Sequence, residues 1–186
     1  MQVSEAITSR RSIKRFTTRQ ITREEIEALI NAATQAPNHH LTQPWRFYVL
    51  GEESRRAYGH ALGSRKAKKI EDAAAAEAVR NKVADEHKSL PAMIVVAMTK
   101  DENPEKREED YAAVMMAVQN LSLSATALGL GTHIKTGAIM DDPAARATAG
   151  VNEDERIVAV INVGEPAETP AAKERAPAAQ FTTWRD

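Results

Sequence analysis

Residues Arg10 to Arg15 place four cationic side chains and one hydroxyl within six consecutive positions. Guanidinium groups make forked hydrogen bonds to phosphate oxygens, and Ser12 adds another donor beside them. This composition indicates an anion-binding segment, with a phosphate group as a suitable ligand. A solvated basic surface is the alternative, and it is the more common role of such a cluster.

A second stretch with chemical potential runs from Ala36 to Leu50. Pro37 and Pro44 exclude helix on either side of a polar loop, and residues of high strand propensity follow. A stiff polar loop beside a buried strand is a suitable place to hold a flat polar ligand, whereas a plain helix-to-strand connection is the alternative. The polar residues of this loop are His39, His40, Thr42 and Gln43.

Several other chemistries are disfavoured by the residue types present. The chain has no cysteine, which excludes thiolate nucleophiles, iron–sulfur clusters and cysteine zinc sites, so redox chemistry requires a bound cofactor. His39 and His40 are neighbours on a turn and are expected to point apart, and we therefore predict no metal site. Asp141 and Asp142 indicate helix caps rather than an acid and base pair. No Ser-His-Asp set follows from the spacing, and we predict no catalytic side chain.

Composition and length narrow the class of partner. The 186 residues suit one domain, residues 1–186, and the net charge of -1 gives no electrostatic reason to expect nucleic acid or a membrane surface. A small polar or neutral partner is favoured. The amino terminus lacks an apolar signal core and no apolar stretch reaches membrane-spanning length, so we expect a cytoplasmic protein.

Amphipathic helices are predicted to position the two polar segments. A short helix from Val3 leads into the basic cluster, and a capping box formed by Thr22 and Glu25 begins a helix that ends at the Ala36 loop. A helix over 54–62 is expected to end at Gly63. A solvent-exposed helix over 66–88 follows, either simply solvated or covering a ligand cleft as a lid.

Apolar segments are predicted to form the core. The runs 93–98 and 156–163 indicate buried strands, and 111–128 is apolar on nearly every side, which predicts a helix at a dimer interface or inside the domain. Gly129 and Gly131 let backbone amides approach a ligand, but the three-glycine dinucleotide fingerprint is missing, so no Rossmann half is expected. The tail from 167 is either free or docked on a neighbour through Phe181 and Trp184.

Taken together, four segments resemble the nitroreductase family in order and spacing. The resemblance covers about the whole chain, and the length matches a compact branch of NAD(P)H nitroreductases. It implies an α+β fold, a mixed sheet flanked by helices, assembled as an intertwined homodimer with FMN at each subunit interface. The segments are Arg10-Arg11-Ser12 with Lys14 and Phe16, Ala36-Pro37 through Gln43-Pro44-Trp45, the apolar helix into Gly129-Leu130-Gly131, and Asn162-Val163-Gly164-Glu165-Pro166.

The resemblance also implies a set of FMN-binding residues. Two positions depart from the family pattern: Leu41 stands where many members carry asparagine, and Ile134 stands where the compact branch often has tryptophan. The matching positions are Arg10, Arg11 and Ser12 at the phosphate and ribityl end, Lys14 beside the pyrimidine ring, Gln35 and His39 from across the dimer, Gln43 near the flavin ring, and Ile134, Lys135 and Thr136 in a second contact segment.

The implied activity is hydride transfer from NADH or NADPH through FMN to a nitroaromatic or quinone-like acceptor by a ping-pong mechanism. A cation such as Lys14 beside the pyrimidine edge would stabilise anionic reduced flavin. Two alternatives stay open. One is a flavin reductase with another acceptor, such as an enal or semialdehyde, and the other is a non-catalytic FMN-binding dimer, which Leu41 supports.

Overall fold

The fold of the chain is α+β, as the family resemblance implied. The computed structural model describes residues 1–185, which form six helices, four strands and two short 3-10 turns at Ala138–Asp141 and Ala178–Phe181. The helices are α1 Val3–Ser9, α2 Arg23–Ala33, α3 Glu52–Ala67, α4 Ala73–Lys88, α5 Pro104–Ala127 and α6 Pro143–Ala149, and the strands are β1 Trp45–Val49, β2 Ala92–Thr99, β3 Gly131–Lys135 and β4 Glu155–Gly164.

The four strands form one antiparallel sheet in the order β1-β2-β4-β3. Successive side chains of a strand point to opposite faces, so β2 contributes to two separate cores. Ile94 and Val96 pack with α2 and α5, whereas Met93 and Val95 pack on the opposite face with α3 and α6. The buried runs predicted at 93–98 and 156–163 are therefore the two inner strands.

The basic segment is held against the free edge of β3. The amide of Ile13 donates a hydrogen bond to the Thr132 carbonyl at 2.9 Å, and Ser12 forms a parallel bridge with Thr132. Gly131 allows this approach, because a Cβ atom there would lie 2.4 Å from Cγ1 of Ile13. The parallel pairing adds to an otherwise antiparallel sheet and fixes the backbone from which Arg10 to Lys14 project.

Two expectations about α3 and α4 are wrong. Gly63 lies inside α3 instead of ending it, because a Cβ atom there would lie 2.8 Å from Cα of Arg80 and the glycine lets α4 pack closely. The predicted helix over 66–88 is interrupted, since α4 begins after Asp72, whose side chain accepts a hydrogen bond from the Ala75 amide at 2.6 Å. It is also not simply solvated, because Val83 and other residues of α4 are buried.

The long apolar helix is confirmed and begins at Pro104, with Asn103 as its cap. Its inner face packs in the core through residues such as Val118 and Leu121, while Met116 and Leu128 stay exposed in the single chain. No strand was predicted after Gly131, yet residues 131–135 form the edge strand β3. No helix in the described part of the chain has both the length and the apolar character needed to cross a membrane.

Candidate functional site

A cavity of about 700 Å³ lies beside the basic segment, and we call it the arginine cavity. It is bordered by the end of α1, by residues 10–14 and by tail residues 168–175. Five of its described lining residues are cationic and Glu168 is the acidic one, so the lining carries a net positive charge. The cationic residues are Arg10, Arg11, Lys14, Lys173 and Arg175.

The Arg11 guanidinium is oriented by the backbone around it. Its Nη1 atom donates to the Thr8 carbonyl at 2.7 Å and to the Arg10 carbonyl at 3.0 Å. The buried Nε atom has no hydrogen-bond partner among residues 1–185. The net positive lining and this oriented guanidinium together fit an anionic ligand such as a phosphate.

A second cavity, of about 490 Å³, lies on the sheet face covered by α3 and α4, and we call it the lysine–histidine cavity. Lys14 lines both cavities. The Lys135 ammonium donates to Nε2 of His87 across 3.5 Å, and Nδ1 of His87 donates to the Val83 carbonyl at 2.8 Å. This pairing requires a neutral His87 with its proton on Nδ1.

The basic groups of this cavity are destabilised in their charged forms. Burial lowers the pKa of Lys135, and the nearby charge of Lys66 lowers it further, while Glu86 opposes the shift. Burial likewise lowers the pKa of His133, and Lys135 and Lys14 act in the same direction. Bound negative charge would offset both effects.

The Ala36 loop does not place its two histidines apart. The His39 and His40 rings stack with centroids 4.2 Å apart, because Nδ1 of His39 and Nε2 of His40 both approach Oε2 of Glu109 at 3.1 Å. The ligand atoms of His39, His40 and Glu109 lie within 4.8 Å of one another, and all three residues are exposed. The absence of a metal site stays a prediction.

Asp110 fixes the rest of this loop and was not identified from the sequence. Its buried carboxylate accepts hydrogen bonds from Thr42 and from the Asn38 amide. Asn38 in turn accepts from the Gln43 backbone amide at 2.7 Å. Leu41 and Gln43 adopt positive φ angles of 50° and 45°, which is uncommon for residues other than glycine. These hydrogen bonds join the loop to α5 through Asp110.

The predicted site residues fall into separate groups in the single chain. Arg10, Arg11, Ser12 and Lys14 line the arginine cavity, while Lys135 lines the lysine–histidine cavity. The side chain of Ile134 packs against the α5 side of the core. The others lie elsewhere: His39 lines a groove of about 410 Å³ against α5, and Gln35, Gln43 and Thr136 are exposed.

His87, His133 and Asn162 were missed as site residues. His133 and Asn162 are directly paired across β3 and β4 and line the same cavity. A sequence signal exists only after β3 is recognised as a strand, because alternation then places His133 and Lys135 on one face. His87 could be identified as a site residue only once the position of α4 relative to the sheet was known.

The comparisons with known sequences and structures all indicate the same family. A sequence model of the nitroreductase family matches residues 7–165. The chain is 33% identical over 174 residues to YfhC of Bacillus subtilis (strain 168), which is provisionally named an NAD(P)H nitroreductase, with 92% of this chain and 88% of YfhC covered.

Solved structures agree with this family. A nitroreductase-like family protein from Bacillus cereus is 30% identical with a TM-score of 0.85, covering 100% of this chain and 97% of that chain. A provisionally named nitroreductase from Desulfovibrio desulfuricans, solved in complex with FMN, is 25% identical with a TM-score of 0.74, covering 99% and 96% of the two chains. The resemblance of the four sequence segments is thus confirmed, and this chain belongs to the nitroreductase family.

Proposed function

We propose that this chain is an FMN-dependent oxidoreductase that accepts hydride from NADH or NADPH and delivers it to a nitroaromatic or quinone-like acceptor. The observation that carries the proposal is the arginine cavity, where Arg10, Arg11 and Ser12 surround a space suited to a phosphate-bearing ligand. The FMN in the Desulfovibrio structure and the name of YfhC support the cofactor and the hydride donor.

The residues of this chain bind and orient, while bound FMN supplies the hydride chemistry. We assign the phosphate to Arg10, Arg11 and Ser12, because charge-assisted hydrogen bonds to phosphate oxygens are among the strongest available. Lys14 lines both cavities and is assigned to the pyrimidine edge, where its charge stabilises negative charge that develops on reduction. The chain lacks a separate dinucleotide motif, so donor and acceptor take turns at one site in ping-pong order.

A homodimer completes this assignment. Gln35, His39 and Gln43 are exposed and do not line the arginine cavity in one protomer. A partner subunit would bring these side chains to the flavin, together with the exposed backbone around Thr136. Ile134 and Lys135 lie in β3 and form, with Thr136, the second segment that would contact FMN.

The alternative function is a non-catalytic FMN-binding dimer. Leu41 favours it, because this residue keeps a positive φ of 50° and is exposed, where many family members have an asparagine. Asparagine tolerates that backbone conformation more readily and offers an amide to the flavin. A reductase for a different acceptor, such as an enal or semialdehyde, keeps the same flavin site.

The first experiment is the visible absorption spectrum of the purified protein, followed by NADH or NADPH without oxygen. A flavin spectrum that bleaches is the expected result. A flavin spectrum that persists would favour the binding dimer, and a colourless protein that does not take up FMN would overturn the proposal. Bleaching followed by reoxidation with a nitroaromatic, a quinone or an enal distinguishes the acceptors.

Arginine variants test the site itself. We expect Arg10→Ala to weaken FMN binding by about tenfold or more, since one charge-assisted hydrogen bond contributes roughly 1.5–3 kcal/mol. Arg23→Ala is the matched control, because Arg23 is exposed on α2, pairs with Glu27 at 2.7 Å and does not line the arginine cavity. Equal loss of FMN affinity in both variants would contradict the assignment of the phosphate to the arginine cavity.

A further inference from the structure

The polar loop over residues 38–43 has a backbone conformation that its residue types disfavour. Leu41 and Gln43 have φ angles of 50° and 45°, in the left-handed region that residues with a Cβ atom rarely occupy. Such a conformation persists only where the surrounding structure holds it, and it is most common in functional segments. The contacts that hold this loop therefore identify the residue that controls its shape.

Asp110 on α5 makes those contacts. Its side chain is 3% exposed, and its Oδ1 atom accepts hydrogen bonds from the Thr42 hydroxyl and, at 3.4 Å, from the Asn38 side-chain amide. Within residues 1–185 its carboxylate forms no ion pair, and both of its hydrogen bonds come from the loop. Because a buried carboxylate is costly without polar partners, this residue and the loop depend on each other.

The carboxylate also sets the direction of the hydrogen bonds in the loop. A carboxylate only accepts, so Asn38 turns its NH₂ group toward Asp110 and its Oδ1 atom away from it. That Oδ1 atom accepts a hydrogen bond from the backbone amide of Gln43 at 2.7 Å. Two successive hydrogen bonds thus connect the buried carboxylate of Asp110 to the backbone of the exposed Gln43.

We propose that Asp110 is a positioning residue that holds the loop in the conformation that presents Gln43 to the flavin ring. The inference rests on the function proposed above, in which Gln43 lies near the ring of FMN. Asp110 itself acts through Asn38 and Thr42 and does not contact the cofactor. A loop that is already ordered loses less conformational entropy when a ligand binds, so Asp110 strengthens binding of the ring and not of the phosphate.

Titration of the full chain, freed of flavin, with FMN and with riboflavin tests this division. Riboflavin has the same ring and lacks the phosphate. We expect Asp110→Ala to weaken binding of both ligands by a similar factor, about tenfold, which is the scale of one hydrogen bond to a charged group. Arg10→Ala, in contrast, should weaken FMN and leave riboflavin nearly unchanged. Thr42→Val removes the donor, keeps the shape of the side chain, and serves as a second variant if Asp110→Ala does not fold.

Ser122→Ala is the matched control for the loss of a buried polar group on α5. Ser122 is fully buried, and its hydroxyl donates to the Val118 carbonyl of its own helix at 2.9 Å. At saturating FMN, the visible absorption bands of the bound flavin are expected to shift in Asp110→Ala and to stay in place in Ser122→Ala. Equal effects of the two variants on riboflavin affinity would overturn the inference, because Asp110 would then act only through the general stability of α5.

Amide hydrogen exchange of the flavin-free protein measures the loop directly. We expect the Gln43 amide to exchange at least about tenfold faster in Asp110→Ala, because the bond that protects it depends on the orientation of Asn38. The Ile13 amide, which donates to the Thr132 carbonyl at 2.9 Å, is the internal reference and should not change. Unchanged exchange of the Gln43 amide would overturn the inference, as would an Asp110→Ala protein that loses affinity for FMN alone.

Failure of the proposed function gives a different result. The function fails if the unchanged protein binds no flavin or if NAD(P)H does not bleach bound FMN. Faster exchange of the Gln43 amide in Asp110→Ala would still support Asp110 as the residue that holds the loop, and unchanged exchange would overturn that role as well.

Discussion

Burial affects the pKa of His87 more than any single neighbouring group does. Burial lowers the pKa of His87, and the charges of Lys135 and Lys66 lower it further, whereas the hydrogen bond to Val83 and the charge of Glu86 act in the opposite direction. Tyr58 is the aromatic neighbour, with ring centroids 6.2 Å apart. His87 therefore stays neutral in the folded protein at pH values where an exposed histidine is protonated.

This shift predicts a loss of stability in acid. In the unfolded chain His87 takes up its proton near a pKa of about 6.5, while the folded chain binds it only at lower pH. The unfolded state then binds more protons, so the free energy of unfolding falls as pH drops below about 6.5, by at most about 1.4 kcal/mol per pH unit from this group, and the group contributes no pH dependence well above that value.

Urea unfolding at several pH values between 7 and 5 measures the effect. His87→Gln is expected to lose less stability on acidification than the unchanged protein. His60→Gln is the matched control, since His60 is an exposed histidine on α3. Identical pH dependence in the His87→Gln and His60→Gln proteins would show that His87 is not held neutral by the fold.

At the scale of elements, the packing of α3 against α4 depends on two glycines. A Cβ atom on Gly59 would lie 2.6 Å from the Val83 carbonyl oxygen, and one on Gly63 would lie 2.8 Å from Cα of Arg80. Both obstacles are backbone atoms of α4, which cannot rotate away. The glycines thus bring α4 close to α3, and a Cβ atom on Gly59 would also lie 2.7 Å from Cβ of His87.

We expect Gly63→Ala to destabilise the protein by about 1–3 kcal/mol, the usual cost of overpacking. An alanine in an exposed helix would instead gain about 1 kcal/mol over glycine, so the sign of the change tests the close contact. Denaturant unfolding measures it, with Ser64→Ala as the control at the adjacent exposed position. A Gly63→Ala protein more stable than the original would mean that α3 and α4 are not in contact there.

The helices and strands show which parts of the fold could be predicted from the sequence and which could not. Local signals determined where α2 begins, since the Thr22 and Glu25 capping box starts it as predicted. The apolar run 111–128 likewise predicted most of α5. Gly63 carries no local sign of whether it ends a helix or admits a neighbouring one, because the deciding atoms belong to Arg80. The edge strand β3 was missed for a similar reason, since its pairing with β4 is a long-range contact.

The candidate site likewise has one part that the sequence predicted and another that only the structure reveals. The anion-binding character of Arg10 to Ser12 follows from residue types within a few positions, and the structure places those residues around one cavity. The lysine–histidine cavity joins residues from α4, β3 and β4 with the basic segment. No spacing in the sequence encodes that association.

At the scale of the whole molecule, the single chain leaves several large apolar side chains in solvent. Ile7 on α1 and Met116 on α5 are 56% and 41% exposed, and the tail residues Phe181 and Trp184 are 79% and 89% exposed. Exposed apolar surface of this kind is typical of an interaction site. A second copy of the chain, as the family resemblance implies, would cover it.

The tail supplies the sharpest test of that assembly. If Trp184 docks on the partner subunit, we expect Trp184→Ala to weaken dimer association about tenfold or more. The reason is that a buried interface tryptophan commonly contributes about 2 kcal/mol or more to the binding free energy. Sedimentation over a range of concentrations measures the change. Arg185→Ala is the control, since the neighbouring residue is also exposed in the tail.

The unchanged protein should then also protect Trp184 from a soluble fluorescence quencher as its concentration rises, whereas dilution should expose it again. A chain that sediments as a monomer at every concentration, with Trp184 always accessible, would contradict the homodimer. In that case Gln35 and His39 could not reach a flavin from a partner subunit, and FMN would have to be held by Arg10, Arg11, Ser12 and Lys14 of one chain.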